Sequence, residues 1–336
     1  MNKIILDSTI GLGGDSVIAD KLAMMGFDVE VRNFSNKESI LESKAVVLLG
    51  GRTIIMAHED KNYDDFETWL KNFHKKLGTL TILGEIELFH PKRIGILKKI
   101  DDTGTPCRIL SPWKFDDFTN IKEYHHDLNA SFIDLDYLIS ETDSGSQSHL
   151  AFCNTTIKDS RPGRSELIDK LRSIKNIKID LEGPKHQISS SMERHPTKIQ
   201  LQDYNDSHLE IVCETDSQSD EIFYPTEKIY KPISAGHPFM VLAPQYFLRS
   251  LRAKGFKTFN KIFDESYDEI ADQHQRIDKI CEILQQMNQK DIKTSCRAIT
   301  RHNQRRLFSM VVSSDLIFAK KLRKIVDLAI KEHQDL

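Results

Sequence analysis

The sequence has no closely spaced cysteine pair of the kind that holds zinc or carries redox chemistry. Its five cysteines, Cys107, Cys153, Cys213, Cys281 and Cys296, are odd in number and widely spread. That pattern argues against a disulfide framework and for reduced, buried thiols in a cytoplasmic protein. An excess of charge is also missing: 47 Lys and Arg stand against 50 Asp and Glu, a net charge of −3. No bulk polycation points to nucleic acid, so any such site must be a local patch. No apolar run approaches the length of a membrane span, and Met1-Asn2-Lys3 leads straight into a short strand pattern without a signal-like apolar stretch. The expectation is a soluble cytoplasmic protein with no membrane partner. Internal repeats and low-complexity tracts are absent. No Gly-Lys-Ser/Thr follows the Gly-rich loop Gly11-Leu12-Gly13-Gly14, which excludes a phosphate-binding P-loop there. Neither half opens with the spaced-glycine fingerprint of dinucleotide enzymes, which disfavours a Rossmann oxidoreductase.

What is present is alternation. At 336 residues the chain is long for one core, and two domains are expected. Short apolar runs at 3–6, 27–31, 45–49, 80–83 and 107–110 alternate with helical patterns ending near 25, 76 and 100. Strands that are apolar throughout and separated by helices indicate a parallel sheet covered on both faces. The pattern weakens from 111 to 148, and 141–148 reads as a linker. Alternation then restarts, with strands at 150–153, 177–181, 209–213 and 239–242 and helices at 164–174, from 226, and at 244–253. A long helix is expected from 264 to 287, and two more over 291–311 and 314–332. The expected divisions are 1–140, 149–285, and 286–336, the last as helices packing back on both domains.

The most informative stretch is 214–236. The strand at 209–213 delivers Glu214 to its carboxyl end, a polar loop follows, and Thr226-Glu227-Lys228 opens an amphipathic helix. Thr226 suits the N-cap position, which leaves free N–H groups and the positive dipole end beside Lys228. Amides and a lysine suit phosphate, and a glutamate suits ribose hydroxyls. A capped surface helix is the plain alternative.

Three segments in order carry a resemblance. The first holds Phe152-Cys153-Asn154, Arg161-Pro162-Gly163-Arg164 and Leu167-Ile168-Asp169-Lys170-Leu171; the second is 209–228; the third is Ala235-Gly236-His237-Pro238-Phe239-Met240-Val241-Leu242. Together with 255–259 and 264–268, which resemble the family's closing strand and helix, they resemble the donor domain of the GT-B glycosyltransferases, specifically the α1,3-fucosyltransferase-like group, over about residues 150–285; of the expected domains, the first then binds the acceptor and the second the donor. The family's Asn after the strand-end Glu is Thr215 here, and the loop from 216 to 225 is unusually acidic. The resemblance implies an α/β protein of GT-B type, two Rossmann-like domains facing across a cleft with C-terminal helices. It implies an inverting enzyme that transfers a sugar from a nucleotide diphosphate sugar to an acceptor hydroxyl. By position, Arg164 and Lys228 would bind the donor pyrophosphate, Glu227 the ribose, and Glu214 and Thr226 would line the same pocket.

An inverting transfer needs a carboxylate from the N-terminal domain to take the acceptor's proton. Asp15, closing the Gly-rich loop, and Glu85, after the strand at 80–83, are the candidates. Metal is not expected: His125-His126 and His58-Glu59-Asp60 lack ligand spacing, and Asp134-Leu135-Asp136 is the one candidate clamp. Lys290, Lys293, Arg297, Arg301, Arg305 and Arg306, then Lys320, Lys321, Arg323 and Lys324, recur near helical spacing. These basic C-terminal helices are a solvated face by default, or a contact for a polyanionic acceptor. The acceptor is therefore open between a glycan and DNA, the latter as in a viral enzyme acting on 5-hydroxymethylated pyrimidines. A non-catalytic nucleotide-sugar-binding protein is the remaining reading.

Overall fold

The structure, a computed structural model, describes residues 3–7, 14–32, 40–41, 45–50, 54, 63–83, 94–111, 118–125, 148–155, 157, 162–181, 201–215, 217, 225–287 and 292–335. The chain divides into two compact units, Met1–Phe132 with Ser313–Leu336, and Ile133–Val312.

The first unit is built on a six-stranded sheet of β1 (Lys3–Asp7), β2 (Asp28–Arg32), β3 (Val46–Gly50), β4 (Leu80–Leu83), β5 (Cys107–Ser111) and β6 (Ile121–His125). Its order is β2-β1-β3-β4-β5-β6, and each pairing is parallel. The central strands are buried along their length because both faces are covered. One face meets α2 (Tyr63–Leu77) and α3 (Ile94–Asp102) through Phe66, Trp69, Phe73 and Leu97; the other meets α1 (Gly14–Met24) through Ile18 and Leu22.

The second unit carries a four-stranded parallel sheet of β7 (His149–Thr155), β8 (Ile177–Leu181), β9 (Ser207–Cys213) and β10 (Phe239–Leu242), in the order β10-β9-β7-β8. Its helices are α4 (Pro162–Leu171), α5 (Leu201–Asp206), α6 (Glu227–Ser234), α7 (Phe247–Ala253) and α8 (Gln273–Gln286). In both sheets the first strand lies between its two successors, so the chain crosses over in opposite directions on either side of β1 and of β7. Such switch points open a crevice at the strands' carboxyl ends.

Four features depart from the sequence expectations. Two helices predicted at the C-terminus are one, α9 (Ile292–Gln334). Ser313 and Ser314 do not break it. Its buried stripe continues from Ile292, Cys296, Asn303, Leu307 and Val311 in the second unit to Phe318, Leu322, Ile325, Val326 and Ala329 in the first. The helix expected from 264 is a 3₁₀ turn, Ser266–Glu269, and then α8. Asp268 is diverted from the helix because its carboxylate accepts from the N–H groups of Leu248 and Arg249, capping α7. Residues 255–259 form no strand; Glu265 accepts from Phe259 N–H and Thr258 Oγ1 instead. Strand β6 and helix α5 were not foreseen. β6 pairs on one side only and keeps polar residues between Ile121 and Tyr124, which hides it from a search for apolar runs. The predicted linker at 141–148 lies outside the described residues except for Ser148. Among those residues, no helix is long and apolar enough to cross a membrane.

Candidate functional site

The switch point of the second sheet gathers the charged residues. β9 ends at Cys213, and its neighbour β7 ends at Thr155. Arg164, in the first turn of α4, reaches from one side. Pro162 begins that helix, where its missing N–H costs nothing. The Arg164 Nη2 donates to the carbonyls of Cys213 at 3.2 Å and Glu214 at 2.8 Å. The side chain is 2% exposed.

Glu214 is also buried, at 1% exposure. Its carboxylate bridges the strand end and the start of α6. It accepts from Thr226 Oγ1 at 2.5 Å, from Thr226 N–H at 3.1 Å and from Thr215 N–H at 3.2 Å. Burial raises its pKa against the opposing pull of the Lys228 charge and the Thr226 hydroxyl.

Thr226 caps α6 in extended conformation, as its sequence position predicts, and its Oγ1 accepts from Lys228 N–H at 3.3 Å. The Lys228 ammonium lies against Glu227, within 3.2 Å of Thr215 Oγ1 and 3.4 Å of Thr226 Oγ1. Burial works to raise the Glu227 pKa, yet the charge and hydrogen bond of Lys228 carry it below the ordinary value. Lys228 keeps 28% of its side chain exposed, against 10% for Glu227. Just past the C-cap of α6, Gly236 takes φ +63°; a Cβ there would stand 2.8–2.9 Å from the Gln304 amide.

The five residues named from the sequence for the donor thus lie around the carboxyl end of β9. Lys228 and Glu227 lie outermost; Arg164 and Glu214 lie beneath and hold main chain. Of the two base candidates, Asp15 lies in α1, and Glu85 falls outside the described residues. So do the Gly-rich loop at 11–13, His58-Glu59-Asp60 and Asp134-Leu135-Asp136. Among the described residues, no three His, Cys, Asp or Glu side chains cluster as a metal site.

Sequence reasoning missed the first turn of α8. Gln273 bonds Ser217 Oγ, and its amide stands 2.5–2.8 Å from where a Cβ on Gly163 would be. Arg276 is 2% exposed and donates to main-chain carbonyls of Ser217, Ala243, Ile270 and Ala271. A signal existed: Arg276 stands on the apolar face of α8 beside Ile277 and Ile280, where a charge needs dedicated partners.

No protein-family model and no curated protein matches the sequence. Solved structures do. T4 phage BGT, a single-residue mutant in complex with UDP-glucose, aligns over 97% of this chain and 100% of its own, with TM-score 0.52 and 10% identity. The DNA modifying enzyme beta-glucosyltransferase, solved with and without uridine diphosphoglucose, aligns over 93% and 99%, with TM-score 0.42 and 10% identity. An α1,3-fucosyltransferase with GDP-fucose aligns over 89% and 90%, with TM-score 0.32 and 13% identity. The first of these establishes the fold: an α/β chain of GT-B type, as the sequence resemblance implied.

Proposed function

We propose that the second unit binds a nucleotide diphosphate sugar at the carboxyl ends of β7 and β9, and that the chain is an inverting glycosyltransferase. The observation carrying this reading is Lys228. A partly exposed ammonium, backed by a capped helix start and a buried carboxylate, stands at a sheet switch point in a GT-B fold.

In this reading Lys228 pairs with the donor diphosphate and exchanges Glu227 for phosphate oxygens. Glu227, released from the ammonium, accepts from the ribose hydroxyls. Arg164 and Glu214 keep the strand end and Thr226 in place. As the acceptor oxygen bonds to the anomeric carbon, the bond to the diphosphate breaks, and its negative charge grows beside Lys228 and the α6 amides. The cation and helix start supply that stabilisation, so the proposed transfer needs no metal. A carboxylate of the first unit, Asp15 or Glu85, takes the acceptor's proton.

Binding of UDP-glucose and GDP-fucose, measured by calorimetry on the wild type and Lys228→Ala, tests this. Loss of one charge-assisted contact is worth about 1.5–3 kcal/mol, so the variant is expected to bind roughly 10- to 100-fold more weakly. A nucleotide sugar that binds both proteins equally would remove Lys228 from the site, and a wild type that binds neither would remove the reading.

One observation favours DNA over a glycan as acceptor. In the first unit, Lys320, Arg323, Lys324 and Lys331 of α9 line a groove of about 640 Å³ with Met25 and Asp327. Arg323 pairs with Asp327 and stands over the Phe27 ring at 5.0 Å, so the groove already holds a planar cation in a fixed orientation. Four cations at helical spacing suit consecutive phosphates. Transfer from the bound donor to hydroxymethylcytosine-containing duplex, and not to glycans, is the expected outcome. Transfer to glycans alone would assign the groove to solvent.

A further inference from the structure

We infer that Arg276 is a positioning residue for the donor site, acting through the described residues 213–215 and 217 at the end of β9; the inference rests on the donor reading above. The segment is gripped at both ends by guanidinium groups that reach main-chain carbonyls. Arg164 holds the carbonyls of Cys213 and Glu214 from α4. Arg276 holds the carbonyl of Ser217 from α8, at 3.0 Å. Thr215 lies between the two grips, and its Oγ1 accepts from Lys228 Nζ.

Arg276 is itself fixed. Nε donates to Ile270 O at 2.9 Å, Nη2 to Ile270 O at 2.7 Å and Ala271 O at 3.0 Å, and Nη1 to Ala243 O as well as Ser217 O. One side chain therefore joins the loop after β9, the end of β10 and the approach to α8. A planar fork with five N–H donors can satisfy these directions together; a lysine ammonium, with three donors on one atom, cannot. The neighbouring Gln273 adds a second tie from the same helix turn, to Ser217 Oγ, while its amide rests over Gly163 next to Arg164. The first turn of α8 thus sets the loop that carries Thr215, and through Thr215 the direction of the Lys228 ammonium. A misplacement of about 1 Å in such a contact is enough to cost on the order of 100-fold in a reaction.

The test uses the full chain with Arg276→Lys, Arg276→Met and Thr215→Val. Backbone hydrogen exchange at 213–217 is read without ligand, and UDP affinity is read by calorimetry at a temperature where circular dichroism shows each variant folded. The expected result is faster exchange confined to the loop in both Arg276 variants and UDP binding weakened at least 10-fold. Thr215→Val leaves the buried guanidinium untouched and is expected to weaken UDP binding about 10-fold without a change in thermal midpoint. It keeps the test decisive where an Arg276 variant folds poorly. A purely structural role for Arg276 gives a lower midpoint with wild-type UDP affinity in the folded fraction; that result, or wild-type affinity in Thr215→Val, overturns the inference. Failure of the wild type to bind UDP or any nucleotide sugar, with loop exchange altered as expected, would instead overturn the donor reading and leave the mechanical link standing.

Discussion

The two sheets share a topology and differ in what they place at its switch point. In the first, β1 ends at Asp7, which is fully buried, and its Oδ2 accepts from Gly50 N–H at 3.0 Å, tying β1 to β3. Among the described residues, that tie is what occupies the strand ends. In the second, the ends of β7 and β9 hold Arg164 and Glu214, with Glu227 and Lys228 beside them, and the first three are under one-tenth exposed. A switch point supplies a crevice in both cases. Among the described residues the second gathers charges of both signs, and its buried Arg164 and Glu214 are matched by hydrogen bonds to the strand end and the start of α6. The described strand ends of the first sheet thus serve packing, and those of the second gather charged side chains that hold main chain.

Truncating the first sheet sharpens this contrast most. Leu48 is central in β3 and fully buried. Leu48→Ala is expected to cost about 2–5 kcal/mol of stability through lost burial and the cavity left behind. Chemical denaturation measures it. UDP affinity of the folded variant is expected to stay at the wild-type value; a parallel loss of affinity would show that the division of labour is false.

A second contrast lies within the second unit, between the two glutamates of the β9 segment. Glu210 sits four residues before Glu214 and accepts from Tyr204 Oη at 2.8 Å. Burial pushes its pKa up to about 7 from an ordinary 4.5, outweighing the Tyr204 hydrogen bond. The folded protein then retains a proton that the unfolded chain has released, so stability is greatest below pH 4.5 for this group and falls as pH rises toward 7. The loss amounts to about 3 kcal/mol by pH 7. Glu210→Gln keeps an acceptor for Tyr204 and is expected to flatten the decline in denaturation midpoint between pH 5 and 7. An unchanged slope would mean that Glu210 is ionised in the folded state.

Much of this organisation was legible. Apolar residues mark nine of the ten described strands, as continuous runs in those buried on both faces and in alternation with charged residues in β2 and β8. Thr226-Glu227-Lys228 is readable as a helix start because capping is local chemistry. The missed elements depend on distant partners. Nothing near Asp268 in sequence says that it caps α7, and nothing near Arg276 says which four carbonyls it will meet. Arg164 and Glu214 were named from the sequence by position, but their burial at the end of β9, where Arg164 holds the carbonyls of Cys213 and Glu214, depends on partners distant in sequence. The continuity of α9 was obscured because its buried stripe serves two cores in succession.

The smallest effect tests the link between the capped helix and the charge beside it. Thr226 Oγ1 donates to Glu214, accepts from Lys228 N–H and lies 3.4 Å from Lys228 Nζ. Thr226→Ala removes the cap and leaves the buried Glu214 carboxylate short of one donor. The cap alone is worth about 1 kcal/mol. Glu214 retains the N–H groups of Thr226 and Thr215, so the total is expected near 1–2 kcal/mol. Thr226→Ser keeps the oxygen and should restore most of that stability. It should also restore UDP affinity, because the hydroxyl rather than the methyl group orients Lys228. If serine rescues the denaturation midpoint and not the affinity, the methyl contact shapes the site, and the electrostatic account of this strand end is incomplete.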